Sequence, residues 1–131
     1  MIKTSKGSCL CNQVQFEIDL PTKWVSHCHC SLCRKAHGAG YVTWLGVEDN
    51  HFRLLSDAAL IQWYQSSSPA KRGFCKNCGS TLFFKSAKWP RETHIVLANM
   101  NMPIDKAPAA NVNFSSHVDW MPIDKTIVTK N

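Results

Sequence analysis

Seven cysteines in three tight groups constrain this chain more than any other feature. They fall as Cys9-x-Cys11, Cys28-x-Cys30-x-x-Cys33 and Cys75-x-x-Cys78. An odd number cannot pair completely into disulfides. The N-terminal stretch "MIKTSKGSCLCNQ" also lacks the apolar run of a secretory leader, so reduced thiols in a cytoplasmic setting are expected. A thioredoxin-like redox pair at Cys75 and Cys78 would need a βαβ context, and the flanks read as strands instead. Clustered thiols at these spacings point to metal, and tetrahedral sulfur sites point to zinc.

Four plus three is the sensible division. Cys75 and Cys78 can face one ion from a tight turn, and Gly79 directly after them suits the positive-φ position such a turn requires. They supply two ligands, and a structural zinc takes four. Cys28, Cys30 and Cys33 are spaced closely enough to converge on an ion by themselves, which leaves Cys9 and Cys11 to complete the Cys75/Cys78 set. That cross-link spans 63 intervening residues, and closing such a loop constrains the unfolded chain by a few kcal/mol on the loop-entropy argument.

The trio supports three readings. It is a second structural zinc closed by His27, His29 or His37, or an open zinc whose fourth position takes a soft exogenous thiol, or a weak site that is often empty. In the open reading, zinc lowers the pKa of the incoming thiol and favours its nucleophilic thiolate form.

Composition narrows the partners. The formal charge of +6 treats every cysteine as neutral. Four thiolates on one Zn²⁺ leave a net −2 and three leave −1, which brings the balance to about +3. The basic residues are scattered, with nothing larger than a pair such as Lys71-Arg72, so a phosphate-tracking nucleic-acid surface is not expected. No apolar run reaches membrane-spanning length, so no membrane partner is expected. The length suits one domain over residues 1–131.

Periodicity favours strands. Val14, Phe16 and Ile18 alternate with polar residues, and further strand candidates lie at 41–45, 52–55, 61–64, 81–84 and from Thr93 onward, with one near 112–114. Only 31–36 and 56–60 suggest helical turns. The class expected is mainly β, with small antiparallel sheets organised around a four-cysteine zinc site. Trp44, Trp63, Phe83, Phe84 and Trp89 read as core residues from their strand-like contexts. His51, His94 and His117 read as surface or structural histidines.

Taken in order, "GSCLCNQVQFEI", "CHCSLCRKAHGAGYVTWL" and "FCKNCGSTLFF" resemble the glutathione-dependent formaldehyde-activating enzyme family, which includes centromere protein V-like domains. The resemblance implies a β-tent fold, a structural zinc on Cys9, Cys11, Cys75 and Cys78, and a second zinc on Cys28, Cys30 and Cys33 at a catalytic centre. It implies a carbon–sulfur lyase-type reaction joining formaldehyde to glutathione or another small thiol. Arg34, beside the trio, is the expected partner for the developing alkoxide, with Lys35 or a nearby histidine able to assist. Where the family's C-terminal segment opens with a histidine, this chain has Asn111. The centromere protein V branch implies the alternative of a non-catalytic zinc-stabilised binding module; the chain shows no extended basic or Pro-rich tail, which favours the small-molecule role.

Overall fold

The computed structural model describes residues 3–131. The elements in chain order are β1 (Thr4–Ser8), β2 (Gln15–Asp19), β3 (Trp24–Cys28), α1 (Ser31–His37), β4 (Val42–Glu48), β5 (Phe52–Leu54) and β6 (Ile61–Ser67). They continue with β7 (Ala70–Cys75), β8 (Thr81–Ser86), β9 (Glu92–Val96), β10 (Ala110–Val112) and β11 (Val128–Thr129). The chain is mainly β, as the sequence implied.

Two sheets form. Strands β1, β2 and β5 make a three-stranded antiparallel sheet in the order β1-β2-β5. The other eight make a sheet ordered β11-β10-β3-β4-β9-β8-β7-β6. It is antiparallel from β3 to β6, while β10 joins β3 in parallel and β11 joins β10 in parallel.

The alternating residues along β2 and directly before it behave as read: Val14, Phe16 and Ile18 are fully buried. Phe16 meets Phe83 of β8 edge-on at 5.2 Å, and Phe52 of β5 meets the same ring at 5.3 Å. These rings pin the small sheet onto one face of the large one, where Val25, Leu45 and Ile95 are also buried. Truncating a phenylalanine in such a core costs about 3–5 kcal/mol.

Side-chain alternation then sends Trp24, Ser26, Trp44, Phe84 and His94 to the opposite face of the large sheet. A second buried cluster of Cys28, Cys33, Val42, Trp44 and Val96 forms there. The molecule therefore has a packed face and a working face.

Besides the two-residue β11, three strands lie outside the sequence-based expectation: β1, β3 and β7. Their sequences, TSKGS, WVSHC and AKRGFC, carry glycine, charge or cysteine in place of a clean apolar alternation. Ladder bonds to neighbouring strands override their weak local preference. The strand expected near 112–114 sits at Ala110–Val112 instead, because Asn113 turns into left-handed backbone at φ 53°. The buried run from Thr93 leaves the sheet after Val96 and makes one 3-10 turn, Leu97–Asn99.

Candidate functional site

The four-cysteine group forms where the turn after β1 meets the turn after β7. Asn12, in left-handed backbone at φ 71°, donates its N–H to the Cys9 carbonyl and tightens the first turn. Gly79, at φ 77°, donates to the Cys75 carbonyl and tightens the second. The Leu10 N–H reaches across to the Ser80 hydroxyl at 3.0 Å and stitches the two turns together.

All four sulfurs lie within 4.8 Å of one another. Cys9 and Cys11 are 3.5 Å apart, and Cys11 and Cys75 are 3.8 Å apart. A tetrahedron with metal–sulfur bonds near 2.3 Å has edges of about 3.8 Å, so the donor set fits a zinc ion. Burial pushes the Cys75 thiol up to about 11. Burial also opposes charge on Cys78, but hydrogen bonds from the Ser80 hydroxyl and backbone outweigh it and bring that thiol to about 5.

The trio is built from β3 and α1. Cys28 closes the strand, Cys30 caps the helix by accepting the Cys33 N–H at 3.2 Å, and Cys33 lies in the first turn. The three sulfurs lie within 4.8 Å of one another, with Cys28 and Cys33 at 3.5 Å, again close to a tetrahedral edge.

Each sulfur has its own N–H donor. The Asn113 amide donates to Cys28 at 3.2 Å, the Cys33 N–H serves Cys30, and both terminal nitrogens of Arg72 approach Cys33 at 3.6 and 3.7 Å. Hydrogen bonds from the Cys28 and Cys33 thiols pull the Cys30 thiol far below its ordinary range, and Arg72 adds to this. Cys28 and Cys33 are pushed upward as its hydrogen-bonding neighbours.

None of the three nearby histidines joins the sulfurs. His27 Nδ1 bonds the Thr43 hydroxyl at 2.8 Å, and His37 Nδ1 bonds the Thr81 hydroxyl at 2.8 Å. His29, almost completely buried, bonds the Asn111 side-chain oxygen through Nε2 at 2.9 Å. Among the described residues the group consists of Cys28, Cys30 and Cys33 alone.

The trio opens onto a cavity of about 390 Å³, within the size range of small-molecule sites. One wall is a single transverse row of the large sheet. Trp24 pairs with Gly46, Gly46 with His94, His94 with Phe84, and Phe84 with Arg72, stepping from β3 through β4, β9 and β8 to β7.

Gly46 is what lets this row close up. A Cβ at that position would lie 2.4 Å from the Trp24 ring, so bare backbone allows the indole to lean over and meet His94 edge-on at 4.6 Å. His94 stacks with Phe84 at 5.6 Å, and the Arg72 guanidinium lies 5.1 Å from the Phe84 ring. Burial lowers the His94 pKa, against an upward pull from its bond to Glu92.

Arg34 and Lys35 stand apart from this arrangement. Neither lines the cavity beside the sulfurs; Lys35 borders a separate hollow along α1. The aromatics expected in the core divide. Phe83 and Trp44 are buried, and Trp63 and Phe84 pack against the buried clusters; Trp44 and Phe84 also line the cavity, together with the more exposed Trp89. His94, read from sequence as a surface or structural residue, is part of the cavity wall.

A family model described as glutathione-dependent formaldehyde-activating enzyme matches residues 4–116. The chain belongs to this family. A Halomonas elongata protein named for glutathione-dependent formaldehyde-activating enzymes is 29% identical over 127 residues, covering 91% of this chain and 80% of that protein. A Schizosaccharomyces pombe protein named as an uncharacterized lyase is 33% identical over 79 residues, covering 60% of this chain and 56% of its own length. The crystal structure of a Rhodobacter sphaeroides protein superposes with a TM-score of 0.64 at 27% identity, covering 75% of this chain and 89% of that one.

Within this formaldehyde-activating fold, Arg72 and Asn113 were not singled out by sequence reasoning. Arg72 stands three residues before Cys75 in a strand whose pattern gives no strand signal, and its target, Cys33, is 39 residues away. The one local hint at Asn113 is the residue type itself, since asparagine tolerates left-handed backbone.

Proposed function

We propose that the chain is a zinc-dependent carbon–sulfur lyase-type enzyme that joins a small thiol, such as glutathione, to formaldehyde or a related carbonyl. Cys9, Cys11, Cys75 and Cys78 hold a structural ion, and Cys28, Cys30 and Cys33 hold a second with room for one more sulfur. Zinc at the trio supplies Lewis acidity that favours the thiolate form of an incoming thiol.

The chain's own residues supply the rest. The N–H donors to Cys28, Cys30 and Cys33 fix the three sulfurs and offset part of their charge. The aromatic row walls one side of the reacting atoms and leaves the other open to solvent. As the thiolate lone pair forms the new carbon–sulfur bond, the carbonyl π pair moves to oxygen, which takes a proton from solvent to give the hydroxymethyl sulfide. Arg72 is the buried cation beside the sulfurs, and it takes the alkoxide-stabilising role that the resemblance placed on Arg34.

One observation carries this reading: three clustered sulfurs, with no fourth ligand among the described residues, open into a walled cavity that also holds a guanidinium. The test is exchange spectroscopy by NMR on formaldehyde and its glutathione adduct with zinc-loaded protein. Exchange should accelerate with wild-type protein and return to the uncatalysed rate with Cys33→Ser; an unchanged rate with wild type overturns the proposal.

A further inference from the structure

We infer that the cavity beside the trio selects an adduct bearing a flat apolar group, an aryl ring on either the thiol or the carbonyl side, with at most one carboxylate. The inference rests on the reading above, in which the substrate sulfur docks at Cys28, Cys30 and Cys33, and adds the chemistry of the substrate's body.

The first ground is the wall. Its rings are organised before any ligand arrives: Trp24 against His94, His94 against Phe84, and Trp89 5.3 Å from His94. Trp89 is left 43% exposed at the cavity, and a planar guest would cover it with the edge-to-face or offset contacts that aromatic pairs prefer. Formaldehyde contributes one carbon and cannot cover such a wall.

The second ground is charge. Among the described residues no aspartate or glutamate lines the cavity, and its two cations are Arg72 and Lys88. Arg72 turns both terminal nitrogens to Cys33. Lys88 is exposed, lies 5.3 Å from the Trp89 ring and makes no ion pair among the described residues, so it can receive one acid group at the rim. Glutathione brings two carboxylates and an ammonium, and the ammonium finds no carboxylate side chain in the lining. An aryl thiol, or an aryl aldehyde joined to a short thiol, meets the rings, and a single carboxylate on it would meet Lys88. The bond-making step is unchanged: thiolate adds to carbonyl carbon, the oxygen takes a proton from solvent, and no electrons are lost or gained overall.

The experiment titrates zinc-loaded protein with phenylmethanethiol, with benzaldehyde plus 2-mercaptoethanol, and with glutathione, following tryptophan fluorescence and the zinc-edge spectrum together. We expect at least one aryl probe to bind at least tenfold more tightly than glutathione, and the tighter arm tells which side carries the ring. Trp89→Ala should weaken that probe at least fivefold, and Trp89→Phe should restore most of the loss. Glutathione binding as tightly as both aryl probes, or Trp89→Ala leaving aryl affinity unchanged, overturns the inference. Aryl quenching of fluorescence with an unaltered zinc edge would leave the wall's selectivity standing and sink the metal–thiol reading instead.

Discussion

Arg72 on β7 places both terminal guanidinium nitrogens against the sulfur of Cys33 on α1, at 3.6 and 3.7 Å. The pair joins the far side of the large sheet to the helix that carries the trio. Arg72→Lys keeps the charge but loses the planar fork, and lysine is not an equivalent donor at such a site. Adduct formation should fall by roughly tenfold with Arg72→Lys and by roughly a hundredfold with Arg72→Met. Steady-state kcat/KM, with circular dichroism to confirm the fold, checks this; full activity in Arg72→Met would remove Arg72 from the chemistry.

The two cysteine groups should separate in their consequences. A structural zinc contributes roughly 10–16 kcal/mol of apparent binding energy in small peptides, comparable with the roughly 5–15 kcal/mol that holds a whole domain together. Cys75→Ser should therefore leave the protein largely unfolded. Cys33→Ser should melt cooperatively while elemental analysis finds about half the wild-type zinc. A folded, zinc-free Cys75→Ser protein would contradict the structural assignment.

Asn111 is fully buried between His29 and the chain near Asp124. Its side-chain oxygen accepts from His29 Nε2 and its amide donates to the Asp124 carbonyl at 3.0 Å. His29 Nδ1 is already buried without a partner among the described residues. Asn111→Ala would strand the second nitrogen as well, at a cost of about 1–3 kcal/mol. Chemical denaturation at constant zinc is the appropriate measurement, and a change below about half a kcal/mol would refute the role.

His37 sets an acid-side dependence. Burial first, and then the nearby Arg72 charge, lower its pKa from the ordinary 6.5 to about 4. The folded chain therefore resists a proton that the unfolded chain accepts. Stability from neutral His37 is complete above about pH 6.5 and declines as pH falls toward 4. The melting-temperature difference between wild type and His37→Gln should shrink or reverse across that window; a constant difference from pH 7 to 4.5 would show that His37 does not titrate as described.

The cysteine division was legible in the sequence because spacing alone restricts which thiols can converge. The alternation at Val14, Phe16 and Ile18 was legible because one face of β2 is buried against the large sheet. Arg72, Asn113 and His94 were not legible. Their roles come from strand neighbours far away in the chain, such as Phe84 beside Arg72 and Gly46 beside His94, and no local pattern encodes which strand lies next to which. Arg34 shows the converse: it neighbours Cys33 in sequence, yet its side chain is not part of the cavity lining.

The transverse row that forms the cavity wall draws one residue from each of five strands. Its members are not sequence neighbours, and the row faces away from the side on which Leu45, Ile95 and Phe83 are buried. A lineage descending from such a protein could therefore retune its diet rung by rung, at Trp24, His94 or Phe84, while inheriting both cysteine groups intact.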